Sequence, residues 1–205
     1  MRRRCGSALR APAPRPAPPG HAGARGSEAI AADALSVARL LAAPLFVAAL
    51  GDGGWLAVGV FALAAASDFA DGRLARRGGR ATAHGAVLDA AADIVFVLAG
   101  SARAARLGLV SWAVPAAIAG SAGAYALVSV LRSRRAGGME LARSRVGHAA
   151  GVANYAVVGL AAGSRALPAR AWSGALAAAA ALAVALNLGA VGARLLRPTA
   201  PRART

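Results

Sequence analysis

Asp68, Asp71, Asp89 and Asp93 are half of the eight acidic residues in this 205-residue chain, and they fall within one short segment. That segment reads S-D-F-A-D-G-R-L-A-R-R-G-G-R-A-T-A-H-G-A-V-L-D-A-A-A-D, from Ser67 to Asp93. Asp68 and Asp71 are three apart, Asp89 and Asp93 four apart, and on helices both spacings place a pair on one face. Apolar runs flank the segment on both sides, and a carboxylate at the centre of a membrane helix costs roughly 2.5–3.5 kcal/mol on insertion scales. Four carboxylates so placed repel unless cations neutralise them. Oxygen donors without His or Cys favour hard ions, magnesium or manganese first and calcium next. The residues between the pairs suit phosphate. Gly72 and Gly85 let a ligand or another backbone approach closely, and the Arg76 guanidinium can fork onto phosphate oxygens. Divalent metal beside arginine is equipment for phosphoryl transfer. The competing reading makes these aspartates membrane-edge ion pairs with Arg73, Arg76, Arg77 and Arg80.

The elements that must carry these side chains are membrane helices. Hydrophobic residues make up 58% of the chain and charged residues 16%, too apolar for an ordinary soluble domain. Six apolar segments, at about 34–51, 54–76, 84–102, 109–131, 147–164 and 172–193, each approach the length that spans about 30 Å of hydrocarbon as a helix. The expected fold is therefore all-α, a polytopic membrane protein with six transmembrane helices. Glycine-bearing breaks separate the segments at 51–54, 78–79, 108 and 137–138, and Pro168 marks another. The short break after the second segment predicts antiparallel neighbours, with the two aspartate pairs facing each other near one membrane surface.

The net charge of +16 comes entirely from arginine, since the chain has no lysine. These arginines lie mainly in the tails and in alternate connections: Arg73, Arg76, Arg77 and Arg80; then Arg132, Arg134, Arg135, Arg143 and Arg145. That is membrane-flanking charge rather than a nucleic-acid footprint, so no nucleic-acid partner is expected. The positive-inside rule places both termini and the aspartate hairpin in the cytoplasm. Residues 1–27 read as a disordered basic tail, 28–197 as the membrane domain and 198–205 as a second basic tail. One cysteine, Cys5, excludes an internal disulfide.

The spacing Asp68-x2-Asp71-Gly72-x2-Ala75-Arg76-x8-Gly85-x3-Asp89-x3-Asp93 resembles the signature of the CDP-alcohol phosphatidyltransferases in all eight defined positions. The six-segment plan resembles that family as well, from about Asp33 onward. The resemblance implies transfer of a phosphatidyl group from CDP-diacylglycerol to an alcohol acceptor, with release of CMP, at the cytoplasmic leaflet. It implies Mg²⁺ or Mn²⁺ held by Asp68, Asp71, Asp89 and Asp93, with Asp93 also the base for the acceptor proton. It implies a cytidine-nucleotide pocket shaped by Gly72, Ala75, Arg76 and Gly85. Members commonly pair as homodimers, and a homodimer is an expectation here.

Ser36 and Arg39 resemble a Thr-x-x-Arg pair common in the first segment of that family, without the usual Pro-Asn before it. Two roles are open to Arg39: contact with nucleotide phosphate, or snorkelling to the interface. Members that use glycerol-3-phosphate commonly carry Gly-Lys-x-x-Thr where this chain has Gly147-His148 and then Gly151. That departure weighs against glycerol-3-phosphate, although the arginines nearby suit an anionic acceptor. The acceptors expected are glycerol-3-phosphate or inositol-phosphate, with phosphatidylglycerol, which would give cardiolipin, as the alternative. Asn154, Tyr155 and Asn187 read as polar groups bonding between helices. Trp55, Trp112 and Trp172 read as interfacial anchors. Two readings of other classes compete: a cation transporter with carboxylates along its path, and an inactive member that retained the signature.

Overall fold

In a computed structural model, residues 21–78, 83–136, 144–167 and 171–196 are described, with side chains for 34–67, 85–135, 144–167 and 172–196. Among the described residues the chain is helical throughout, in six helices. These are α1 (His21–Asp52), α2 (Trp55–Gly78), α3 (Ala83–Arg106), α4 (Ala113–Ala136), α5 (Arg145–Ala166) and α6 (Ala171–Leu195). Five carry long apolar spans: Ala34–Asp52, Gly85–Arg106, Ala113–Arg135, Arg145–Ala166 and Trp172–Leu195. The sixth, α2, is apolar from Trp55 to Ser67, about 20 Å of helix, and then continues through the first aspartate pair. This is an all-α integral membrane protein.

Short-range chemistry sets several helix ends. Gly53 and Gly54 turn α1 into α2 at φ 81° and 87°, a region that disfavours side chains. Gly108, at φ 72°, closes α3. Its N–H donates to Ala105 O at 3.0 Å and that of Leu109 to Ala104 O at 3.0 Å, the paired bonds of a Schellman cap. Ser144 caps α5, its Oγ accepting from Gly147 N at 3.0 Å. α1 begins at His21, inside the stretch read as a tail, and α3 runs four residues past its expected end.

The helices close into a ring in the order α1, α2, α5, α6, α4, α3, with α3 also meeting α5 inside it. α2 and α3 were expected to be direct neighbours. Among the described residues α2 packs mainly on α1 and α5, and α3 on α1, α4 and α5, with small side chains such as Ala43, Ala57 and Ala92 buried on α1, α2 and α3; the ends of α2 and α3 nearest their connection lie outside the residues described with side chains. Phe46, Leu50, Phe96, Val157 and Val158 fill the centre. Gly100 admits this packing, since a Cβ there would lie 2.9 Å from Phe46 Cε1 and 3.0 Å from Val158 Cγ1. Leu41, Leu63 and Leu188 point outward, as they do on a surface solvated by lipid.

Candidate active site

Ser36, Arg39, Ala43, Phe46 and Leu50 are the buried stripe of α1, spaced by three and four. Arg39 therefore points into the bundle, with its side chain fully buried, and cannot snorkel. Its charge is met there by α3. Nη1 donates to Asp89 Oδ1 at 3.0 Å and to Asp93 Oδ1 at 2.6 Å. The i, i+4 spacing does bring Asp89 and Asp93 to one face, and both carboxylates converge on a single guanidinium nitrogen. α5 adds a third contact: the Tyr155 hydroxyl donates to Asp93 Oδ1 at 2.8 Å. The Tyr155 ring is fixed by near-parallel stacking on Phe96, centroids 6.1 Å apart, and by Phe61 at 6.3 Å.

Gly85 lies one turn before Asp89 on α3. Asp68, Asp71, Gly72, Ala75 and Arg76 lie on α2, and their side chains are outside the described residues. Arg73 and Arg77 share that position, and Arg80 and Arg143 also fall outside. Among the described residues no group of three metal-ligating side chains forms. Asp89 and Asp93 nonetheless fit a hard cation: their oxygens already meet within the reach of one positive centre, and they remain 41% and 32% exposed.

Asp93 and Tyr155 also stand in the wall of a cavity of about 1100 Å³ bounded by α2 to α6. Most of its lining is alanine, glycine and aliphatic carbon. Arg194 brings a guanidinium to that wall. It belongs to the last turn of α6 and lies in the cavity wall. Its Nη1 donates to Ser121 O at 2.9 Å and Ser121 Oγ at 3.0 Å. The Tyr125 ring lies 5.4 Å from its Cζ, within cation–π range. Gly147 makes room for it, since a Cβ there would stand 2.6 Å from Nη2. Its Nε has no hydrogen-bond partner and it makes no ion pair among the described residues. His148 lines the same cavity as an exposed side chain.

The sequence reading missed the joint role of Arg39, Tyr155 and Arg194. A signal existed for Arg194: it follows Asn187 by seven residues, two turns along one face of an apolar helix. None existed for the Arg39–Asp93 pair, 54 residues apart in sequence.

The bundle of membrane helices thus sets one carboxylate of the Asp89–Asp93 pair in the wall of a large cavity. The family model for CDP-alcohol phosphatidyltransferase matches residues 29–189. The chain belongs to that family, a family of transferases that act between a CDP-alcohol and an alcohol acceptor, generally with divalent cations. No curated protein matches the chain closely enough to be counted a relative.

Proposed function

We propose that the protein transfers a phosphatidyl group from CDP-diacylglycerol to a small anionic alcohol, glycerol-3-phosphate or inositol-phosphate, and releases CMP. The observation that carries the reading is the double placement of Asp93. It belongs both to the Asp89–Arg39 cluster and to the wall of the cavity that would admit the acceptor. In this reading Asp68, Asp71, Asp89 and Asp93 hold Mg²⁺ or Mn²⁺. When bound, the metal neutralises the pyrophosphate and stabilises charge on the transferring phosphate. Gly72, Ala75, Arg76 and Gly85 shape the cytidine site. The site faces the cytoplasm, residues 28–197 form the working domain, and a homodimer is the working assembly.

Asp93 takes the proton of the acceptor hydroxyl as its oxygen bonds to the phosphorus bearing diacylglycerol. The bond from that phosphorus to the CMP oxygen breaks, and CMP leaves. Arg39 contributes through Asp89 and Asp93, which it holds together, rather than through the nucleotide. Tyr155 donates to Oδ1 of Asp93 and so helps to orient that carboxylate. Arg194 supports an anionic acceptor: a guanidinium without a carboxylate partner among the described residues, in a largely apolar wall, is matched by a phosphate. A cation path is a poorer account, because a fully buried guanidinium stands against two of the carboxylates.

The test is CMP release by purified protein in detergent with CDP-diacylglycerol, Mg²⁺ or Mn²⁺, and glycerol-3-phosphate, inositol-phosphate or phosphatidylglycerol as acceptor. Release stimulated by one acceptor and abolished in Asp93→Asn is the expected result. Undiminished release in that variant removes Asp93 from the chemistry.

A further inference from the structure

Between Asp93 and Arg194 the cavity wall carries two further polar side chains, Asn154 and Asn187, only 6% and 2% exposed. Asn187 Nδ2 donates to Ala183 O at 2.8 Å and to Asn154 Oδ1 at 2.7 Å. These bonds fix both amide orientations. A backbone carbonyl accepts only, so the Asn187 atom facing it is the nitrogen, and the Asn154 atom facing that nitrogen must be the oxygen. Asn154 Nδ2 and Asn187 Oδ1 are left without a protein partner among the described residues. Both residues line the cavity.

Interhelical bonding between α5 and α6 accounts for the shared hydrogen bond. It does not account for a spare donor and a spare acceptor side by side on an apolar wall, where unpartnered amides are costly. A donor beside an acceptor is the complement of a hydroxyl, which both gives and takes a hydrogen bond. The pair is also well placed. Asn154 precedes Tyr155, which holds Asp93, and Asn187 lies two turns before Arg194 on α6, about 10 Å along the axis.

We infer that Asn154 and Asn187 form a hydroxyl-reading site that makes the protein select a polyol acceptor over an alcohol with fewer hydroxyls. The inference rests on the transferase reading for the name of the acceptor, but not for the binding itself. The reacting hydroxyl meets Asp93, a second hydroxyl meets the amide pair, and Arg194 takes the anionic end.

The test compares each polyol with a counterpart lacking one non-reacting hydroxyl. The pairs are glycerol-3-phosphate against 3-hydroxypropyl phosphate, inositol monophosphate against its deoxy forms, and phosphatidylglycerol against phosphatidyl-1,3-propanediol. CMP release and the ligand-induced rise in melting temperature are both measured. The wild type should prefer the polyol by about 10- to 100-fold in kcat/KM, as a lost buried hydrogen bond gives. Asn154→Leu with Asn187→Leu removes both partners for similar volume and should level the preference. Asn154→Leu alone, which keeps the Asn187–Ala183 bond, should reduce it. A preference that survives in a folded variant, or a wild type that does not discriminate, overturns the inference while the transferase reading stands. Stabilisation by a polyol that is lost in the variants, without CMP release from any protein, would sustain the inference and overturn the transferase reading. If no polyol stabilises the wild type and none releases CMP, both fall.

Discussion

Tyr155→Phe removes one oxygen atom and leaves the packing intact. The ring that stacks on Phe96 and leans on Phe61 is unchanged, and the hydrogen bond to Asp93 Oδ1 at 2.8 Å is lost. A hydrogen bond to a charged acceptor is worth about 1.5–3 kcal/mol. The lower end applies here, for two reasons. Asp93 is 32% exposed, so water can replace the phenol, and Arg39 Nη1 still holds the same oxygen at 2.6 Å. About 1.4 kcal/mol is one decade in rate. The expectation is therefore a kcat about tenfold below wild type in the CMP-release assay, with KM for CDP-diacylglycerol unchanged. Thermal stability should change by less than about 1 kcal/mol. The same substitution in an Asp93→Asn background should cost much less, because coupled groups are not additive. A wild-type kcat in Tyr155→Phe, or an equal loss in both backgrounds, would refute the argument that Tyr155 acts by orienting Asp93.

Arg39→Leu leaves two partly exposed carboxylates facing each other, and should lower stability by about 1–3 kcal/mol without added metal. Millimolar Mg²⁺ or Mn²⁺ should recover part of that loss, and thermal melts with and without chelator would show it. Arg194→Leu should raise KM for a phosphorylated acceptor by about 10- to 100-fold and leave the donor KM alone, from the loss of charge-assisted bonds; equal changes in both would argue for a packing role. Gly159→Val should force aside Phe61, whose Cζ would lie 2.6 Å from the new Cβ, and cost about 1–3 kcal/mol in a melting assay. Reporter fusions at residues 52 and 137 should read outside and inside respectively; residue 137 outside would reverse the proposed orientation.

The apolar runs and the aspartate spacing were legible in sequence because each is local. A membrane helix announces itself by length and composition, and an i, i+4 pair by the helical repeat. Tertiary choice is not local. Two roles stayed open for Arg39, nucleotide contact and snorkelling, because its distance from the membrane edge does not choose between them. What decides its fate is the register of the Ser36–Arg39–Ala43–Phe46 stripe against Asp89 and Asp93, and no spacing within α1 reports that. Arg194 was hidden by the same limit. Counted as positive-inside charge it sits at a helix end like any other, yet Gly147 on α5 and Ser121 on α4 turn it into the cavity. The segment 143–151 departs from a lysine-bearing acceptor motif at His148 and Gly151. In the folded chain the cation that approaches Gly147 comes from α6 instead. A site can keep its charge while moving the residue that supplies it to another helix, because a phosphate responds to where a guanidinium stands and not to which segment carries it.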